Sequence, residues 1–287
     1  MLVEMNDLKT YFNHKLDSIL RNDDSLLQDL TESMRYSLFS ESKRLRPLFC
    51  FLVGDLFKVS RDKLISLACA LELIHTASLI LDDLPYMDDA QLRRGKAANH
   101  LIYGQDTAIL ASIGLLMKAF EIISNDTHLT PDIKTKVLLH LTHGVGMGGM
   151  TAGQFVDLKF SSPTINPDKL DYIHKHKTAS LFVLAGLLAA IVGNASDHEQ
   201  RAIKDYALNL GFAFQIFDDI LDLDGDPAET GKSKRRDKGN FVQLYGLETA
   251  KALAREYTEK AFRSLDKFEG RNEKLLQLGN LLLDRKR

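Results

Sequence analysis

Two acidic clusters stand out in this chain. Asp82-Asp83-Leu84-Pro85-Tyr86-Met87-Asp88-Asp89 and Asp218-Asp219-Ile220-Leu221-Asp222 each end a long apolar stretch, more than a hundred residues apart. Brought together, these carboxylates would repel and raise one another's pKa unless a cation sat among them, and hard oxygen ligands of this kind suit Mg²⁺. Mg²⁺ usually keeps waters and completes its shell with substrate phosphate, so two facing carboxylate sets predict a diphosphate held between them.

Spacing sharpens the reading. Asp218 and Asp222 are four apart and share a helix face, with Gln215 three before Asp218 on that face. Asp82 and Asp88 are six apart, so a straight helix would turn them about 120° from each other. Pro85 breaks the ladder and lets Asp88 swing back toward Asp82, although Asp89, seven from Asp82, fits as well. An acidic run at a helix end is ordinarily a solvated cap. Here both runs follow apolar stretches, where the macrodipole disfavours carboxylates, which points to function.

Cations complete the constellation. Lys43-Arg44-Leu45-Arg46-Pro47 precedes an apolar run, and Arg93-Arg94-Gly95-Lys96 follows the first acidic cluster. Singly such groups are solvated faces, but beside acidic clusters in a chain of formal net charge −2 they read as phosphate clamps. His174-Lys175-His176-Lys177-Thr178 precedes an apolar helix from Ala179, placing Lys177 and Thr178 near the positive end of its dipole. His75 lies seven before Asp82 on nearly the same helix face. It reads either as a satisfied core histidine or as a phosphate contact.

The elements that must carry these groups are helices. Helical periodicity covers most of the 287 residues, and no stretch sustains the alternation of a half-buried strand. Leu8, Phe12, Leu16 and Ile19 form one stripe of an N-terminal helix, Ser60 with Asp62 opens the helix that ends at Asp83, and Thr130-Pro131-Asp132 opens another. Breakers fall at 124–126, 161–167 and 224–240. Leu64 to Leu81 contains Glu72 and His75, and Ala179 to Val192 is shorter than the ~20 residues a bilayer needs, so both read as core helices rather than membrane spans. With 45% hydrophobic residues and no linker, the pattern predicts an all-α fold in a single domain, 1–287. The near-neutral charge gives no reason to expect nucleic acid. Cys50 and Cys69 sit among apolar residues and read as buried reduced thiols, which fits a cytoplasmic setting, as does a start lacking the basic and apolar regions of a signal peptide.

Taken in order, Lys43-Arg44-Leu45-Arg46-Pro47, Glu72-Leu73-Ile74-His75-Thr76, the run from Asp82 to Lys96, Gly153-Gln154-Phe155-Val156-Asp157, His176-Lys177-Thr178 and Phe214-Gln215-Ile216-Phe217-Asp218-Asp219-Ile220-Leu221-Asp222 resemble the motifs of bacterial trans-polyprenyl diphosphate synthases. The resemblance spans nearly the whole chain. It implies the all-α isoprenoid synthase fold, a large helical bundle around a deep central cavity, in a homodimer. It also implies that Asp82 and Asp88, supported by Asp83, and Asp218, supported by Asp219 and Asp222, hold three Mg²⁺ on an allylic diphosphate (dimethylallyl, geranyl or farnesyl). By the same resemblance Arg93, Lys177, Thr178, Gln215 and Lys232 contact that substrate, while Lys43, Arg46, His75 and Arg94 form the pocket for isopentenyl diphosphate. The expected chemistry is ionisation of the allylic C1–O bond, attack by the double bond of isopentenyl diphosphate, and loss of a proton to the released diphosphate.

Some positions depart from the family pattern. Glu41-Ser42 replaces a glycine pair and puts a stiffer backbone and a negative charge beside an anion site. Leu81 stands where many relatives carry histidine, and Asn240-Phe241-Val242 replaces Thr-Tyr-Pro after Lys238. None of these removes an implied ligand. A non-catalytic subunit of the same fold would lack carboxylates from one acidic motif, and a class I terpene cyclase would keep one such motif without the Lys43 and Arg46 pocket. Both motifs here favour the condensing enzyme.

Product length turns on the residue one helical turn, ~5.4 Å, before the acidic motif, because one isoprene unit is about that long. Ala77 and Ser78 hold that place. Small residues there resemble geranylgeranyl synthases, whereas many bacterial farnesyl synthases carry an aromatic at the Ala77 position. The twenty-carbon product is therefore favoured over farnesyl. On the other reading Ala77 merely packs against a neighbouring helix and the floor lies at Met117 or Phe120.

Overall fold

Leu8, Phe12 and Leu16 recur at helical spacing and are sealed on the inner face of α1 (Leu2–Ile19). A computed structural model describes residues 2–21, 24–159, 166–224 and 240–283. Helices follow one another as α2 (Gln28–Leu38), α3 (Leu45–Leu56), α4 (Arg61–Asp82), α5 (Asn99–Tyr103), α6 (Gln105–Ser124), α7 (Pro131–Val145), α8 (Met150–Lys159) and α9 (Pro167–Ile173). A π turn (His174–Thr178) leads into α10 (Ser180–Val192), and then come α11 (Asp197–Asp224), α12 (Phe241–Tyr245), α13 (Leu247–Ser264) and α14 (Glu273–Leu283). Between α4 and α5 lies a feature that the periodicity missed, a hairpin of two-residue strands, β1 (Leu92–Arg93) and β2 (Lys96–Ala97). Its alternation is too short to register as a pattern.

The all-round apolar helices form the centre. α4 packs against α3, α6 and α10, and α10 against α3, α7 and α11. Phe49 of α3 stacks on Phe182 of α10 with ring centroids 4.2 Å apart. Helices α4 and α6 are each long and apolar enough to cross a membrane by length and composition. α4, however, lies in the protein core, as its sequence predicts, with Leu67, Leu71 and Ile74 inaccessible. Thr130 caps α7 by accepting from Ile133 N–H at 3.4 Å, whereas Ser60 occupies the N-cap of α4 without a side-chain capping bond. Cys50 and Cys69 are buried free thiols. A second apolar cluster of Phe212, Ile216, Phe241, Val242 and Ala250 steadies the end of α11 that carries Asp218.

Candidate functional site

α4 presents the first acidic cluster by ending there. Asp82 is its last residue and Asp83 its cap, so the chain returns through the loop after the helix rather than through a kink at Pro85. Asp88 N–H donates to the Asp82 carbonyl at 2.9 Å, and Ala90 N–H to the Asp83 carbonyl at 3.2 Å. Asp88 is thereby folded back onto Asp82. Burial pushes the Asp82 carboxyl above the usual carboxylate range, Lys177 opposes that, and the Asp88 charge adds to it. The exposed Asp89 takes a left-handed φ of 49° at the end of this turn. Asp88 is thus the loop carboxylate whose charge Asp82 feels.

Lys177 reaches this cluster from the π turn. Its Nζ lies 2.6 Å from Asp157 Oδ2 on α8 and 3.9 Å from Asp82 Oδ2. Asp83 turns elsewhere. Arg93 grips it through Nε, at 2.8 and 3.2 Å, and through Nη2. Burial works against the charge on Arg93, but this pairing holds its guanidinium above the usual arginine range.

Arginines surround His75. The turn joining β1 to β2 has Arg94 at φ 53° and Gly95 at φ 74°, the two positive values of a type I′ hairpin. A left-handed arginine is strained, and such strain concentrates at functional sites. Burial and then the charges of Arg46, Arg94, Arg93 and Arg44 hold the imidazole well below its usual range, so His75 is neutral at pH 7 and has one N–H to donate. Burial also lowers the Arg46 guanidinium to about 10, and its Nε is buried without a hydrogen-bond partner among the described residues. Clustered like charges with an unsatisfied donor are costly until an anion completes them. Arg46 lines a cavity with Leu45, Thr178, Phe182, Leu210, Gly211, Phe214 and Leu282. The two sides assigned separately to isopentenyl diphosphate (Arg46) and the allylic substrate (Thr178) therefore meet in one space. Lys43 lies at the surface ahead of α3.

Arg44 differs from its neighbours and corrects the reading of that basic run as three clamps. It donates to Glu72 Oε1 at 2.5 Å, to the Leu38 carbonyl at 2.6 Å and to Asn13 Oδ1 at 3.0 Å. Each guanidinium nitrogen is thus bonded within the protein. Ser42, from the pair that replaces two glycines, donates to Glu72 at 3.3 Å and accepts from Arg44 N–H, while Glu41 faces solvent.

On α11 Asp219 is 5% exposed and accepts from Gln215 Nε2 at 2.9 Å and from Phe241 N–H at 3.0 Å. Gln215 turns to Asp219, four residues on, rather than joining Asp218. Asn240 caps α12 by accepting from Gln243 N–H, so the unusual Asn240-Phe241 pair fastens α12 beneath the second cluster. Asp218 is half-buried. The Asp222 side chain and Lys232 lie outside the described residues.

Ala77 is buried at 3% exposure, and its carbonyl accepts from Ser112 Oγ of α6 at 2.9 Å. Ser78 is half-buried and donates to the His75 carbonyl. Met117 is 52% exposed, which removes it as a floor within one chain; Phe120 remains half-buried. Sequence alone gives Asp157 no role. The usable signal was its place four after Gly153 in a motif otherwise without charge.

Among the described residues no three acidic, imidazole or thiolate groups converge tightly enough to chelate a metal unaided. The oxygen donors nevertheless fit Mg²⁺, which takes one or two carboxylates and draws its remaining ligands from water and substrate phosphate. The Lys177 ammonium beside Asp82 stands in for the positive charge that such a set requires.

Comparison with known proteins bears on this geometry. The family model for polyprenyl synthetase matches residues 27–278. Geranylgeranyl pyrophosphate synthase 3, chloroplastic, of Arabidopsis thaliana is 39% identical over 280 residues, spanning 92% of this chain and 77% of that protein. An apo crystal structure of a FPP/GFPP synthase from Zymomonas mobilis superposes with a TM-score of 0.89 at 30% identity, covering 98% of this chain and all of that one. A geranyltransferase from Helicobacter pylori, solved with magnesium and isoprenyl diphosphate, gives a TM-score of 0.81 at 29% identity over 96% of each chain.

Proposed function

The chain belongs to the polyprenyl synthetase family, is a prenyltransferase and has the all-α isoprenoid synthase fold; from that premise we propose that it condenses isopentenyl diphosphate with allylic diphosphates, head to tail and with Mg²⁺, to geranylgeranyl diphosphate. The observation that carries this reading is a division of charge. Asp82, Asp88 and Lys177, with Arg93 bonded to Asp83 beside them, form one polar centre, and Arg46 and Arg94 form another whose charges reach a neutral His75. Two polyanions need two such places.

In this reading Asp82, Asp88 and Asp218, with Asp83, Asp219 and Asp222 in support, hold the metal. Bound Mg²⁺ would neutralise diphosphate charge and polarise the leaving oxygen. Lys177, with Thr178, Gln215, Lys232 and Arg93, orients the allylic diphosphate and stabilises charge as the C1–O bond opens. Arg46, Arg94, Lys43 and His75 fix isopentenyl diphosphate so that its double bond faces the allylic carbon. The new C–C bond forms, and the proton then lost goes to the departed diphosphate. Apolar walls such as Leu45, Phe182 and Phe214 exclude water from the cation.

The twenty-carbon product is supported by the small pair Ala77-Ser78 and by the name of the Arabidopsis relative; the name of the Zymomonas structure keeps farnesyl diphosphate as the second reading. Two buried thiols support a cytoplasmic setting. A homodimer is supported by α5 and α6, whose outer faces expose Leu101, Ile102, Leu110, Ile113 and Met117, an apolar patch of the kind that marks an interface.

Labelled isopentenyl diphosphate incubated with dimethylallyl, geranyl or farnesyl diphosphate, followed by dephosphorylation and chromatography, tests the proposal. A twenty-carbon alcohol is expected, and none in excess EDTA. Farnesol as the end product would replace the product reading, and no extension of any primer would remove the condensing activity.

A further inference from the structure

Lys177 sits on irregular backbone. Ala179 N–H donates to the His174 carbonyl at 2.8 Å, the i to i+5 bond of a π turn, which inserts a residue into a helix and occurs often at functional sites. Such a turn needs an outside constraint to fix where its side chains point. α8 supplies contacts at two levels. At Gly153 a Cβ would fall 2.4 Å from Lys177 N, 2.8 Å from the His176 carbonyl carbon and 2.9 Å from Lys177 Cα. All three are backbone atoms, which cannot swing aside as a side chain would, so glycine alone lets α8 lie against the turn. One helical turn further, on the same face, Asp157 Oδ2 holds Lys177 Nζ at 2.6 Å. Between them Gln154 Nε2 approaches Met87 Sδ at 3.9 Å, so α8 also touches the loop that folds Asp88 onto Asp82.

We propose that α8 is a two-point clamp in which Gly153 fixes the backbone and Asp157 the ammonium of Lys177, making both of them positioning residues for the allylic-diphosphate site. The inference rests on the assignment of Lys177 to that diphosphate. With no substrate the ammonium lies on Asp157; a bound diphosphate offers it a stronger anion from the same anchored turn. Displacing the turn by a methyl group moves Nζ from this path, and removing the Asp157 charge frees the lysine to collapse onto Asp82.

A double-mutant cycle in equilibrium binding tests this, with a non-ionisable thio-analogue of geranyl diphosphate as the probe, measured by calorimetry without turnover. Lys177→Ala, Gly153→Ala and Asp157→Asn are each expected to weaken binding by roughly 10- to 100-fold, the range for a charge-assisted hydrogen bond. Gly153→Ala and Asp157→Asn should add nearly nothing in a Lys177→Ala background, because each acts through that side chain. Full additivity for both would overturn the clamp while leaving the Lys177 assignment in place. An unchanged affinity for Lys177→Ala would remove that assignment and the clamp with it. If Gly153→Ala does not fold, as its melting curve would report, the isosteric Asp157→Asn cycle decides alone.

Discussion

Arg44 donates from Nη1 to Glu72 Oε1 across 2.5 Å, with both side chains almost wholly sealed from solvent. The middle cation of a basic run thus serves the fold. Truncating one member of a buried, hydrogen-bonded pair leaves the other charge uncompensated, at a cost of about 3–5 kcal/mol. Arg44→Ala or Glu72→Ala is expected to lower the urea midpoint accordingly, whereas Lys43→Ala, at the surface, should leave it within experimental error. Equal midpoints for all three variants would contradict the division.

The two substrates should respond to different cations. Arg46→Ala is expected to raise the KM for isopentenyl diphosphate more than that for the allylic primer, and Lys177→Ala to do the reverse, each by about tenfold or more for a lost charge-assisted contact. Parallel effects on both substrates would mean that the shared cavity lined by Arg46 and Thr178 is not divided as drawn.

Asp82 links stability to pH. A carboxyl whose pKa is raised on folding stabilises the protein fully below its unfolded pKa, and that contribution is lost as pH rises through the folded pKa. Burial raises Asp82 in this way, so in EDTA the wild type carries a penalty at neutral pH that Asp82→Asn removes. The variant should melt above wild type at pH 7, and the gap should close below about pH 4, near the ordinary aspartate value. With Mg²⁺ the same variant, like Asp218→Ala, should lose turnover by far more than tenfold. Near-normal turnover in either would sink the metal role.

Chain length is checked at Ala77. The Ser112 bond holds α6 against this turn of α4, and close-packed walls do not absorb a ring without shifting. Ala77→Tyr is expected to shorten the main product from twenty to fifteen carbons. An unchanged distribution, with shortening by Ser78→Phe instead, would move the gate to Ser78; no change in either would place the floor at Phe120.

Association is checked on α6. Ile113→Asp puts a charge in the centre of the exposed apolar face and should shift sedimentation from dimer to monomer. A wild-type monomer at micromolar concentration would show that the face has another use.

Periodicity alone determined the helices and their inner faces, because Leu8, Phe12 and Leu16, or the uninterrupted apolar run of α4, leave one way to bury their area. The acidic clusters and the basic runs were equally conspicuous, since charges at the ends of apolar helices stand out from the residues around them. Which charge meets which was decided only by tertiary structure. Arg44 and Arg46 are indistinguishable in sequence, yet one finds Glu72 from another helix and the other does not. Asp82 and Asp83 are adjacent, but the helix ends between them, so one turns to Lys177 and the other to Arg93. Asp219 takes its second donor, Phe241 N–H, from the start of α12. Gly153 acquires its meaning from a turn more than twenty residues away, at a distance set by backbone contact that no local pattern encodes.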